Sequence, residues 1–297
     1  MSIANRYAAS LDEAAEYLNV LYYGEPGCGK TTAAAGLARL GTVYLVDVES
    51  GAKPSALRKR GIPTSHIRPV PVETYKDLDD FYWYLKQEIE DTEPGTVAGV
   101  VFDSISEIHD QLIRGQVDKR HDKAVRKASN PRTGELLTEV EDNEFLVELG
   151  DRGIVTEQLR IIARRFRDLK CHTVFVALAK REVESEGQVY LPQLPPKFGG
   201  NLRGFVDQVC FLVKADGAED DSGYLGVFRD TGRYKGKDRL DATPPVMANP
   251  SMDRLISLTF GDLDLSRDEA QNGYLSRVLS RRPAEDGQDS EASGSGE

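Results

Sequence analysis

The stretch VLYYGEPGCGKTTAAAG, residues 20–36, constrains this chain more than any other. It fits GxxxxGK[ST] as Gly24-Glu25-Pro26-Gly27-Cys28-Gly29-Lys30-Thr31, with an apolar run before it and an Ala/Leu-rich helical run from Lys30 to Leu40 after it. Each residue type has a physical reason to be there. Glycines let backbone N–H groups turn inward around phosphate oxygens, the lysine reaches the terminal phosphates, and the threonine hydroxyl ligates Mg2+. A helix starting at that point adds the positive end of its dipole. A glycine-rich turn ahead of a helix explains the glycines but leaves Lys30 and Thr31 unexplained. Residues Gly24 to Thr32, Thr32 included, are therefore read as a phosphate-binding loop for a nucleotide.

Beyond the loop, strand-like and helix-like segments alternate. TVYLVDV (42–48), VAGVVFD (97–103), HTVFVAL (172–178), VDQVCFLV (206–213) and YLGVFRD (224–230) read as strands, with helices near 73–91 and 154–169. The first strands are nearly continuous apolar runs, as parallel strands covered on both faces should be. The pattern predicts an α/β fold, a mostly parallel twisted sheet with helices on both faces and late antiparallel strands. Leu78, Phe81, Tyr82, Leu85 and Ile89 recur at helical spacing and form the buried face of one covering helix. Residues 1–18 read as an N-terminal helical segment, 19–280 as the core, 118–143 as a mobile insertion and 281–297 as a disordered acidic tail.

Composition narrows the function classes. Three cysteines without a CxxC pair and four histidines without metal-ligand spacing argue against a disulfide framework or a zinc site. No apolar run reaches the roughly 18 residues of a membrane span, and a soluble, cytoplasmic protein without membrane contact is expected. Net charge is −11, but residues 283–297 hold five acids and no base. Residues 114–132 carry seven bases against two acids, and 158–181 seven against one. Such segregation permits a basic groove on an acidic protein, although solvated helix faces are the other reading. No NKxD motif appears, which disfavours a GTPase, and no lid or acceptor pocket suggests a small-molecule kinase.

A phosphate loop needs a further carboxylate beside the metal. VVFDS (100–104) ends in Asp103, at the carboxyl end of an apolar strand, where open α/β sheets bind ligands. Asp103 is either that metal-water residue or an N-cap of the next helix, a role open equally to Ser104 or Ser106. The strand end YLVDVESGA (44–52) resembles that of RecA-type recombinases, and by that match Glu49 is the base that activates water and Asp47 is structural. On geometry alone Glu49 is also readable as a surface glutamate. KFGGNLRGFVDQVCFLV (197–213) resembles the RecA segment in which a mobile DNA-binding loop ends at Gly-Gly-Asn.

The whole order of motifs resembles phage-encoded RecA-like P-loop ATPases of the Sak4 type, core-only relatives of RecA that anneal single-stranded DNA with a single-strand-binding protein. The resemblance implies ATP and Mg2+ as cofactors, a homo-oligomeric ring or filament, and Lys30, Asp103 and Glu49 as catalytic residues. It makes residues 181–200 a DNA loop, with Arg181, Tyr190, Lys197 and Phe198 for phosphate contact and base stacking. A β-hairpin at REVESEGQVYL with no nucleic-acid role is the competing view. RYKGKDR (233–239) supplies Lys235, Lys237 and Arg239 as candidates for a finger reaching a neighbour's ATP site, against the view of a basic turn facing solvent. RecA carries a glutamine sensor at the end of the strand matching TVFVALAK; here the end reads Ala177-Leu178-Ala179-Lys180, and no amide stands there. A replication or helicase accessory, or an assembly module gated by ATP without turnover, would carry the same phosphate loop.

Overall fold

A computed structural model describes residues 16–49, 51–136, 138, 146–184, 187–214 and 223–261. The N-terminal segment up to residue 15 and the acidic tail 281–297 lie outside the described residues. In chain order the strands are β1 (Asn19–Gly24), β2 (Thr42–Asp47), β3 (Ile67–Pro69), β4 (Val97–Asp103), β5 (His172–Glu184), β6 (Gly187–Pro192), β7 (Gln208–Lys214), β8 (Tyr224–Val227), β9 (Lys237–Asp238) and β10 (Val246–Ala248). The helices are α1 (Lys30–Ala35), α2 (Pro54–Lys59), α3 (Tyr75–Asp91), α4 (Ile105–Ala128), α5 (Leu149–Arg167), α6 (Pro196–Phe205) and α7 (Met252–Phe260).

All ten strands join one sheet in the order β10-β8-β7-β1-β5-β4-β2-β3, with β6 against β5 and β9 against β7. From β3 through β7 the pairs are parallel. The late strands β8, β9 and β10 and the hairpin strand β6 pair antiparallel. Strands β1 and β4 are buried at every position, because helices cover both faces and leave no polar side to alternate with. Helix α1 packs with α7, while α3, α4 and α6 pack around α5. No described helix is long and apolar enough to cross a membrane.

Between β4 and α5 the core is aromatic. Phe102 stacks on Phe175 of the neighbouring strand at 5.2 Å, Phe166 of α5 meets Phe102 edge-on at 4.9 Å, and Phe81 of α3 stacks on Phe166 at 5.5 Å. Of the five positions the spacing predicts, helix α3 buries Leu78, Phe81 and Leu85 and leaves Tyr82 and Ile89 half-buried, and it begins at a capping box of Thr74 and Asp77.

Two stretches differ from the sequence reading. Residues 118–128, expected as mobile insertion, are the last turns of the 24-residue α4, and a turn closed by Gly134 N–H donating to the Asn130 carbonyl at 2.8 Å follows. Lys, Arg and Ala favour helix without an apolar stripe to reveal it, and no residue of α4 after Val117 is buried. Positions 137 and 139–145 lie outside the described residues. Residues 181–200 are mostly a β5–β6 hairpin followed by the start of α6, so the alternation in REVESEGQVYL is strand pairing rather than an extended loop.

Candidate functional site

Strand β1 delivers Gly24 between Leu178 of β5 and Leu212 of β7. A Cβ at Gly24 would lie 2.5 Å from the Leu212 carbonyl oxygen and 2.6 Å from Cys28 Sγ, so only glycine lets the chain leave the sheet here. Gly29, the N-cap of α1, has φ +86°, and a Cβ there would meet the Tyr224 ring at 2.7 Å. The loop thus turns in a left-handed conformation beneath an aromatic ring and feeds the N-terminus of α1. Lys30 is almost buried, at 8% exposure, and its ammonium donates to the carbonyls of Gly24 at 3.0 Å and Glu25 at 2.8 Å. Burial pushes the Cys28 thiol up against the pull of Lys30, which disfavours its reactive thiolate form.

On the other side of β5, β4 carries Asp103 to the same edge. The Thr31 hydroxyl donates to Asp103 Oδ2 at 2.6 Å, which joins the loop to the second carboxylate. Burial, with the negative charges of Asp47 and Glu49 beside it, pushes the Asp103 carboxyl up to about 6, against the opposing pull of the Thr31 hydroxyl and Lys30. Ser104, not Asp103, caps α4: its oxygen accepts the Glu107 N–H at 3.3 Å. That bond leaves the Ser104 proton for Glu49, whose Oε1 accepts it at 2.6 Å. Glu49 is exposed but held, while Asp47 accepts the N–H groups of Gly51 and Ala52 and fixes the chain after β2.

One hydroxyl and one carboxylate oxygen at the carboxyl edge form a donor set that fits Mg2+, which takes few protein oxygens and completes its shell with phosphate and water. Among the described residues no group of three His, Cys, Asp or Glu side chains is gathered to hold a metal without such help. Beside the first turn of α1 a cavity of about 500 Å3 opens, lined by Thr32, Ala33, Arg60, Tyr224 and Asn249 among others. The Arg60 guanidinium lies 4.9 Å over the Tyr224 ring and donates to its hydroxyl at 2.8 Å.

The hairpin is tied to the loop. Arg181 pairs with Glu25 at 2.7 Å and lies over the Tyr190 ring. Tyr23 donates its hydroxyl to the Tyr190 carbonyl at 3.2 Å and accepts the Lys235 N–H at 2.8 Å. Arg181 and Lys197 are exposed. Phe198 and Tyr190 are not: Phe198 is 0% exposed and Tyr190 7%, its ring against Phe211 and Tyr234. Their assignment to base stacking is corrected, because rings held in the core cannot receive a base. Of the finger candidates, Lys237 donates to the Arg203 and Val206 carbonyls, and Arg239 to Gly204 and Asp207. Both close the C-terminal end of α6 within their own chain, whereas the Lys235 ammonium pairs with Asp230 at 3.4 Å.

Sequence reasoning missed Ser104 as the holder of Glu49 and missed the Arg60–Tyr224 pair. The first signal was present, a serine next to Asp103, but the second joins residues far apart in the chain and has no local signature. At the end of β5, where the sequence places no amide, the Leu178 N–H donates to Ser106 Oγ at 3.2 Å and its carbonyl accepts the Gln193 N–H at 2.7 Å. Lys180 pairs with Glu182 within the hairpin.

Residues 16–240 match a family model described as AAA domain. No curated protein matches the chain. Among solved structures, the crystal structure of the RadB recombinase aligns at 18% identity and a TM-score of 0.41, over 78% of this chain and 86% of that one. With the family match spanning most of its length and the phosphate loop in place at the sheet edge, this chain belongs to the AAA domain family of P-loop ATPases.

Proposed function

We propose that this protein hydrolyses ATP with Mg2+ and acts on single-stranded DNA, in strand annealing or recombination of the phage type. The observation that carries the reading is the convergence of Thr31, Asp103, Ser104 and Glu49 on the phosphate loop, with 2.6 Å hydrogen bonds joining Thr31 to Asp103 and Ser104 to Glu49. Lys30 and the loop amides hold and neutralise the phosphates. Thr31 and Asp103 are the residues that would hold Mg2+, which when bound supplies charge neutralisation at the phosphate oxygens. Glu49, its carboxylate oriented by Ser104, aligns the attacking water and takes its proton. The cavity beside Thr32 is of the size that takes a small-molecule ligand, and the flat Arg60–Tyr224 pair offers a stacking surface for the base.

The DNA part of the reading rests on the hairpin, whose exposed Arg181 touches Glu25 of the phosphate loop. Arg181 on the hairpin and Lys197 at the start of α6 are the phosphate contacts of this reading. Lys235 is the finger reaching a neighbouring subunit in a homo-oligomer, and a single-strand-binding protein is the expected partner in the cytoplasm. ATP turnover measured without DNA, with single strands and with duplex tests the proposal. Stimulation by single strands that vanishes in Glu49→Gln is expected. Turnover indifferent to DNA would point to a replication accessory, and tight ATP binding without turnover to an assembly module gated by ATP.

A further inference from the structure

The two basic stretches of the chain differ in how their charges are used. In 158–181, Arg160 pairs with Glu157, Arg165 with Asp79, Arg167 with Asp168, Lys180 with Glu182 and Arg181 with Glu25. Arg164 lies over the Phe205 ring. That stretch is largely neutralised inside its own fold. In 114–132, by contrast, Arg120 is the one ion-paired cation among the described residues.

Lys119, Lys123, Arg126 and Lys127 are exposed, and no described side chain pairs with them. At spacings of four, three and one they lie on one face of α4. With 1.5 Å of rise per residue they run about 12 Å along the axis, so Lys119, Lys123 and the adjacent pair Arg126 and Lys127 follow one another at about one helical turn. Asp118 and Asp122 are exposed on the adjoining face and set its boundary. A solvated lysine face on a frayed helix end would be unremarked, but this end is braced. Arg120 binds Glu148, the buried Asp151 and the Leu146 carbonyl at the start of α5. Ser129 donates back to the Val125 carbonyl at 2.7 Å and pairs across to Leu136. Leu136, bridged to Ser129 at the helix end, and Leu146, whose carbonyl Arg120 holds, are each more than half exposed. Exposed cations in a row on a braced helix suit a backbone of phosphates.

We infer that this face of α4 binds the phosphates of single-stranded nucleic acid, as a surface separate from the β5–β6 hairpin. The inference rests on the reading that the protein acts on single strands. The test uses the full chain and a labelled oligothymidylate, with affinity followed by anisotropy across a salt series. The variant Lys119→Ala/Lys123→Ala/Arg126→Ala/Lys127→Ala, with Arg181→Ala/Lys197→Ala alongside, is compared with wild type; alanine preserves helix propensity. Each phosphate that a cation ceases to neutralise takes about 0.7 from the slope of log K against log salt on a single strand. The α4 variant is therefore expected to lose about 3 units of slope and on the order of a hundredfold in affinity near 0.1 M salt. Wild-type slope and affinity in that variant would overturn the inference while leaving single-strand binding intact. Wild type that binds no oligothymidylate at any salt would overturn the parent reading as well. Should the fourfold variant lose helix content, Lys123→Gln/Arg126→Gln is measured instead, with half the slope change expected and an unchanged slope overturning the inference.

Discussion

At the scale of the residue, Asp103 binds the chemistry to the stability of the fold. Its carboxyl is pushed up to about 6 by burial, so its ionised form is disfavoured in the folded state. Stability tied to this group is present in full below the ordinary carboxylate range and is lost as pH rises through about 6. The shift of about two units corresponds to roughly 2–3 kcal/mol at neutral pH. Asp103→Asn should therefore melt several degrees higher than wild type at pH 7.5 without nucleotide, and the gain should vanish near pH 4. An equal or lower midpoint at pH 7.5 would show that the buried charge is otherwise compensated. The kcat/KM of the wild type, which reports the free enzyme, should fall as pH drops through about 6, when the carboxylate takes up its proton. In the proposed mechanism Ser104 acts through Glu49 and is a positioning residue. Ser104→Ala should lower kcat about tenfold with KM nearly unchanged, since an aligned hydrogen bond to a carboxylate contributes about 1.5–3 kcal/mol. Asp103 was legible in the sequence because it ends an apolar strand, and Glu49, two residues past the end of β2, only through the resemblance of YLVDVESGA to the RecA strand end. Ser104 was legible only as a cap, since its second bond goes to a residue 55 positions away.

At the scale of the element, the Phe166 ring of α5 packs between the sheet and α3. Phe166 touches Phe81, Tyr82 and Phe102 and is wholly buried. Phe166→Ala should cost about 3–5 kcal/mol in chemical denaturation, and a loss below 1 kcal/mol would mean that the core refills the space. Next to α1, the Arg60–Tyr224 pair makes the cavity proposed for the nucleoside an assembly of distant elements. Arg60→Ala should raise KM for ATP about tenfold with kcat retained, on the order of a single stacking or cation–π interaction; equal loss of kcat would place Arg60 in the chemistry instead. The helices with apolar stripes were legible from spacing, and the end of α4 was not, because a helix without a buried face has no 3.6-residue pattern to read.

At the scale of the whole molecule, a net charge of −11 coexists with a basic face on one helix. If Lys235 serves a neighbour's site, turnover per subunit should rise with protein concentration, and Lys235→Ala should lower the plateau without changing ATP affinity. Turnover per subunit independent of concentration would remove the finger from the mechanism. By itself the sequence determined the phosphate loop, the alternation that makes a mostly parallel sheet, and the carboxylates at its edge. Those are local facts, carried by glycine conformation, the lysine–threonine pair and strand periodicity. Only the tertiary structure decided which aromatic rings of 181–200 are core, which cations are neutralised and which stand free, and what lines the cavity beside the loop. Burial and ion pairing depend on elements brought together from far along the chain, as Tyr190 meets Phe211 and Arg181 meets Glu25, and a one-dimensional pattern does not contain the partner.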